Sequence, residues 1–335
     1  MSMADLSRFP RVPLLEGPTP IQELKRLNAT LGGVRIFVKR DDFTAIGGGG
    51  NKLRKLEFLL GDAKAQAADT VITVGARQSN HARLTAAACA HAGFKCELVL
   101  LRTVPREDAD YVNNGNILLD DLFGATVHDL PKDGDVAGLV AQRFEALARE
   151  GRKVYFAPVG GSSAVGCLGY VSCAQEIEAQ SERMGLKFAN VITANGSSGT
   201  HAGLAAGFAA SGRGAAFSKS YAVYYDAEKT RGITLTIARD TLKHLGSDVA
   251  LAENDILVDG DHRGDGYGIP TDGMRAAVRR MASMEGLLLD PVYSGKAFAG
   301  LLRDIRAGKY RRGDNVLFLM TGGAPGLFAY RSAFA

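Results

Sequence analysis

Thr70-Val71-Ile72-Thr73-Val74-Gly75-Ala76-Arg77-Gln78-Ser79-Asn80-His81 decides the architecture. A short, largely β-branched run ends in a glycine and then five consecutive polar side chains, and residues 83–92 follow with apolar side chains at three- and four-residue steps. That order predicts a strand buried on both faces, a polar turn and a helix. It recurs along the chain. Residues 35–40, 97–101, 154–157, 190–194 and 316–320 read as strands, while 52–66, 136–149, 166–180 and 271–284 read as helices. Such alternation predicts an α/β architecture with mainly parallel sheets. Residues 218–225 read as a further strand and 228–244 as a helix, and neither carries a chemical signature.

The chain has 335 residues, room for two domains at about 100 to 200 residues each, and no long linker separates them. Lys and Arg total 40 against 36 Asp and Glu, and the resulting +4 is spread rather than blocked, which argues against nucleic acid as a partner. No apolar run approaches the roughly 18 to 20 residues of a membrane helix, so no membrane association is expected. Met1-Ser2-Met3-Ala4-Asp5-Leu6-Ser7-Arg8 has no basic head followed by an apolar core, which predicts a cytoplasmic protein. Cys89, Cys96, Cys167 and Cys173 form no C-x-x-C pair and have no histidine in ligand spacing, so they read as buried thiols and no metal site is expected.

Chemistry concentrates in four glycine-rich turns that follow strands. Gly47-Gly48-Gly49-Gly50-Asn51-Lys52 puts a lysine at a helix start, yet Leu53 stands where a Walker loop needs Ser or Thr, and no turn fits G-x-G-x-x-G. Gly196-Ser197-Ser198-Gly199-Thr200 reads equally as a phosphate cup at a helix N-terminus or as an ordinary strand-to-helix connection. The polar run 77–81 and Thr321-Gly322-Gly323-Ala324-Pro325-Gly326 complete the set. Their co-occurrence matters because ligands of open α/β sheets bind at the carboxyl ends of the strands. An anion cup, one placed lysine and a polar loop without a metal cluster fit a pyridoxal phosphate enzyme. Two alternatives stand beside it: a pyridoxal phosphate fold that binds without catalysis, which Lys52 argues against, and a nucleotide-dependent transferase, for which no signature is present.

The block Gly49-Gly50-Asn51-Lys52-Leu53-Arg54-Lys55-Leu56-Glu57, with Gln78-Ser79-Asn80-His81, residues 196–200, Gly266-Tyr267-Gly268-Ile269-Pro270, Leu289-Asp290-Pro291-Val292-Tyr293 and Thr321-Gly322-Gly323, resembles the D-cysteine desulfhydrase and 1-aminocyclopropane-1-carboxylate deaminase family. The resemblance runs from Arg8-Phe9-Pro10 to the C-terminus. It implies a fold-type II, tryptophan-synthase β-like enzyme that binds pyridoxal 5'-phosphate, with two open, mainly parallel twisted sheets flanked by helices. It further implies a large cofactor domain from residues 1–53 and 164–335, a smaller inserted domain at 54–163, and a homodimer. By motif, Lys52 would be the Schiff-base lysine, Asn80 would hold the cofactor's ring hydroxyl, and Lys55 with Gly196, Ser197, Ser198, Gly199 and Thr200 would bind its phosphate. Ser79, Asn80 and His81 would face the carboxylate of a small amino-acid substrate, Tyr267 and Tyr293 would close the pocket, and Thr321 would approach the pyridine nitrogen. Lys52, Ser79, Tyr267 and Tyr293 are the candidate catalytic residues.

Within the family, ring-opening deaminases resemble one another in carrying Glu directly after the second pocket tyrosine and Leu in place of the Thr of T-G-G. Here those positions are Ser294 and Thr321. The sequence therefore looks like a β-eliminating carbon-sulfur lyase, first for D-cysteine, alternatively for L-cysteate, with a 1-aminocyclopropane-1-carboxylate deaminase as the third alternative. Arg77, beside the substrate loop, is either a grip for a sulfonate or a surface charge.

Overall fold

Among the described residues, 4–335, the computed structural model holds ten strands in two sheets; Met1 to Met3, part of the stretch inspected for a leader, lie outside the described residues. The chain begins in the larger sheet with β1 (Ile21–Glu23) and β2 (Arg35–Lys39). It crosses to build the smaller sheet from β3 (Thr70–Ala76), β4 (Lys95–Leu101), β5 (Thr126–Leu130) and β6 (Val154–Ala157). It then returns with β7 (Phe188–Asn195), β8 (Ser218–Ala222), β9 (Leu257–Asp259) and β10 (Asn315–Leu319). Strand order is β1-β2-β10-β7-β8-β9 in the larger sheet and β5-β4-β3-β6 in the smaller. Every pairing is parallel except β1 with β2.

Helices cover the sheets: α1 (Lys25–Asn28), α2 (Lys52–Ala65), α3 (Asn80–Ala92), α4 (Ala109–Asn113), α5 (Asn116–Leu122), α6 (Val136–Arg149), α7 (Ala164–Arg183), α8 (Gly199–Ala210), α9 (Ala227–His244), α10 (Asp272–Glu285), α11 (Ser294–Arg306) and α12 (Pro325–Ala329). Helix α8 is buried on all sides, which its Gly- and Ala-rich sequence permits. A Cβ on Gly203 would stand 2.6 Å from the carbonyl oxygen of Cys167, and one on Gly207 2.7 Å from the Ala174 Cβ, so small residues let α7 and α8 meet backbone to backbone.

The predicted α/β order holds, with the long helices and central strands that were read from the sequence within a few residues of expectation, but the 13-residue, largely buried helix α11 was not among them. Short or exposed elements were missed. Strand β5 sits on a sheet edge with polar and apolar residues both exposed, so its pattern does not read as a buried run. Helices α4 and α5 are too short for periodicity to show. All four cysteines are free and buried. No described helix is long and apolar enough to cross a membrane.

Candidate active site

The site begins at the four glycines that follow β2. Gly47, Gly48, Gly49 and Gly50 all have positive φ, from 63° to 142°, a path that side chains with a Cβ resist. Gly50 bridges Gly322 and the Asn51 amide donates to the Thr321 carbonyl at 3.0 Å, so the first and fourth turns are stitched together. Lys52 is thereby the first residue of α2. It lines a cavity of 520 Å³ built at the carboxyl ends of strands from both sheets. Burial pushes its amine down to about 8, against the opposing pull of the Asp290 carboxylate.

Two other charges of the lysine block serve structure. Arg54, 2% exposed, makes two hydrogen bonds to Asp41 (2.8 and 2.9 Å) and reaches Glu176. Glu57 accepts from the amides of Leu14 and Leu15 and from Arg11. Burial opposes the Asp41 charge, but the adjoining guanidinium outweighs it and holds the carboxyl below its ordinary range.

Helix α8 supplies an anion cup. Ser198, its N-cap, has a left-handed φ of 67°, unusual for a residue with a Cβ, and its buried hydroxyl has no partner in the protein. Gly196, Ser197, Ser198 and Thr200 line the cavity. Behind them the Lys55 amine donates to the Gly160 carbonyl (2.9 Å), and burial, reinforced by Lys52, holds its pKa well below normal. Ser162 joins the cup: its hydroxyl donates to Ser197 Oγ at 2.9 Å and accepts from the Gly199 amide at 3.2 Å. A Cβ on Gly199 would stand 2.6 Å from Ser162 Oγ and 2.9 Å from Lys55 Nζ. Gly199→Val therefore fills the cup. We expect cofactor affinity to fall by roughly one to two decades, the loss of one or two charge-assisted hydrogen bonds, with substrate preference unchanged, as measured by cofactor titration.

The turn after β3 contributes Ser79, Asn80 and His81 to the cavity wall. Ser79 caps α3, its Oγ accepting from the Ala82 amide (3.1 Å), which leaves the hydroxyl proton free for an anion at the helix N-terminus. Burial lowers the pKa of His81 well below normal, and its Nε2 meets Thr73 Oγ1 at 2.9 Å. Arg77 does not line the cavity; its guanidinium is paired with Asp129 at 2.7 Å.

Tyr267 and Tyr293 form the facing wall, with their hydroxyls 2.5 Å apart and both phenols pushed upward by burial. A Cβ on Gly196 would come within 2.9 Å of the Tyr293 ring, so the cup and the aromatic wall touch. Asp290 accepts from the amides of Val292, Tyr293 and Ser294 and from Ser294 Oγ, fixing the turn that carries Tyr293. Thr321 also lines the cavity. The sequence reading gave no role to Asp290 or to the turn Pro158-Val159-Gly160-Gly161-Ser162. The second had a signal: it is a fifth glycine-rich turn directly after a strand.

One cofactor chemistry suits these residues. Pyridoxal phosphate requires an amine with its pKa lowered toward neutrality, so that an appreciable fraction is unprotonated, unpaired donors for a phosphate and a donor for its ring oxygen. Lys52, the unpartnered Ser198 hydroxyl in a glycine-lined cup, and Asn80 offer them on one cavity. Residues 12–322 match the family model for pyridoxal-phosphate dependent enzymes. The chain belongs to this family, in the branch that includes D-cysteine desulfhydrases and 1-aminocyclopropane-1-carboxylate deaminases. It is 41% identical over 336 residues to a D-cysteine desulfhydrase of Serratia proteamaculans (97% of each chain). It is 43% identical over 342 residues to a 1-aminocyclopropane-1-carboxylate deaminase of Burkholderia orbicola (98% of this chain, 99% of the relative). A solved structure titled as an ACC deaminase homologue superposes with a TM-score of 0.85 at 37% identity, covering 98% of this chain and 96% of the other.

Proposed function

We propose that this enzyme eliminates the β-substituent of D-cysteine, converting D-cysteine and water to pyruvate, hydrogen sulfide and ammonia. The observation that carries the reading is the state of Ser294. The residue is 1% exposed, its hydroxyl is bonded to Asp290 and it does not line the cavity, so no acid stands directly after Tyr293 to serve ring opening. Lys52 and Thr321 are left as the groups beside the reacting carbon and the ring.

The cofactor, when bound through Lys52, withdraws electrons from the substrate Cα. The chain's own residues do the rest. Lys52 Nζ, deprotonated above about 8, would take the α-proton of the bound substrate. The Ser79 hydroxyl and the first amides of α3 hold the substrate carboxylate. Tyr267 and Tyr293 remain protonated, so either hydroxyl can donate to the departing sulfur. Lys55, Ser162 and residues 196–200 would hold the phosphate, and Thr321, which lines the same cavity, would lie toward the pyridine nitrogen. The division into residues 1–53 with 164–335 and an inserted 54–163 is part of the proposal, supported by the chain's one excursion into the smaller sheet. So are the cytoplasmic location and the homodimer.

The leaving group follows from charge. Among the described residues, Lys52 is the one Lys or Arg lining the cavity, and His81 is neutral. A substrate with a sulfonate as well as a carboxylate would leave one anion unmatched, whereas a thiol asks for no cation. With equal substrate concentrations, sulfide release from D-cysteine should exceed sulfite release from L-cysteate by at least about tenfold, the worth of one charge-assisted hydrogen bond. Arg77→Ala should leave that ratio unchanged. Faster cysteate turnover that collapses selectively in Arg77→Ala would replace D-cysteine with L-cysteate.

A further inference from the structure

Asn116, the first residue of α5, lies 36 positions from Asn80 in sequence and is fully buried against it. Its side-chain Nδ2 makes two hydrogen bonds, one to the Gln78 carbonyl (2.9 Å) and one to Asn80 Oδ1 (2.9 Å). The first fixes the identity of both amide ends. A backbone carbonyl only accepts, so the Asn116 atom facing it is the NH2 group, and the Asn80 atom facing that NH2 group is the oxygen. Asn80 Nδ2 is thereby turned the other way, toward Gly323, where a Cβ would stand 2.5 Å from it.

Asn116 is itself held. Its amide donates to Gln78 Oε1 at 2.9 Å, while Gln78 Nε2 donates to the carbonyls of Tyr111 (2.7 Å) and Asn114 (2.8 Å). Gly115, at φ 65°, permits the close approach: a Cβ there would stand 2.9 Å from Gln78 Oε1 and from the Pro325 carbonyl oxygen. The polar turn after β3 and the start of α5 therefore form one hydrogen-bonded unit whose output is the orientation of a single amide.

We propose that Asn116 is a positioning residue that locks Asn80 with its NH2 group presented to the cavity, so that it donates to the ring oxygen of the cofactor. The inference rests on the assignment of Asn80 to that oxygen. Without Asn116, Asn80 is free to turn its carbonyl oxygen toward another oxygen, and the donor is lost for part of the time.

The test is a double-mutant cycle on the holoenzyme, read by the position of the visible absorption band of the lysine-linked cofactor and by the cofactor dissociation constant. Asn80→Ala should shift the band and raise the dissociation constant. Asn116→Ala should shift the band in the same direction and raise the constant by up to about tenfold, and the double variant should match Asn80→Ala alone. A merely structural Asn116 would lower the melting temperature and leave the band in place. An unmoved band in Asn116→Ala, an effect larger than that of Asn80→Ala, or two effects that multiply would each overturn the proposal. If Asn116→Ala does not fold, Asn116→Asp, which keeps the shape but offers only acceptors, must move the band in the same direction. If Asn80→Ala itself moves nothing, the assignment of Asn80 fails and takes this proposal with it, an outcome distinct from failure at position 116.

Discussion

Lys52→Ala should remove the visible absorption band and lower turnover by about three orders of magnitude or more, because on the reading proposed one amine serves as both the attachment point and the proton acceptor. The side chain lies in the first turn of α2 and makes no bond that the helix needs. Folding should therefore survive, with the thermal midpoint close to that of the parent apoenzyme. Cofactor still binds at the cup, but without a covalent link, so dialysis should strip it from the variant and not from the parent. Retention of colour and activity in Lys52→Ala would place the linkage elsewhere.

Arg54→Leu, two residues on, should do the reverse: it destabilises the fold rather than removing a reacting group. The guanidinium neutralises Asp41 and Glu176 at once and donates to Thr19 Oγ1, and Asp41 is also bonded to the Tyr170 hydroxyl and Thr19. Asp41 and Tyr170 are both fully buried. Removing the cation leaves Asp41 charged, dry and short of donors, a loss of about 3 to 5 kcal/mol when one partner of a buried pair is deleted. Lys39 makes its direct ion pair with Glu176, at 2.8 Å, and its charge offsets the Asp41 carboxylate less than the departed guanidinium did. Denaturant melts of parent and variant measure the loss, and a change below about 1 kcal/mol would show that the pair contributes no more than a surface ion pair.

Adjacent charges in one motif thus divide between chemistry and architecture, which the sequence alone could not separate. Lys52 was legible because four glycines precede it, and glycines in series signal a backbone path that ordinary residues refuse. Arg54 looked like part of the same apparatus until its partners, 13 and 122 positions away, were seen to be the buried Asp41 and the half-buried Glu176. The cup at residues 196–200 was legible for a similar reason to Lys52, since small residues at a helix start leave backbone amides open to an anion. Asn116 was not. Its partners are 36 and 38 positions distant, and its helix is seven residues long, too short for periodicity to reveal. Asp290 was visible within a motif but not in its role, because a carboxylate that accepts four local hydrogen bonds looks in sequence like any acidic residue before proline.

Reaction type decides the account most directly. Supplied separately with D-cysteine and with 1-aminocyclopropane-1-carboxylate at equal concentration, the wild-type holoenzyme should release pyruvate from the first at least about a hundredfold faster than 2-oxobutyrate from the second, a gap of roughly 2.7 kcal/mol in barrier. Comparable or faster release of 2-oxobutyrate would contradict it, and would mean that Ser294, bound to Asp290 and not lining the cavity, does not exclude ring opening.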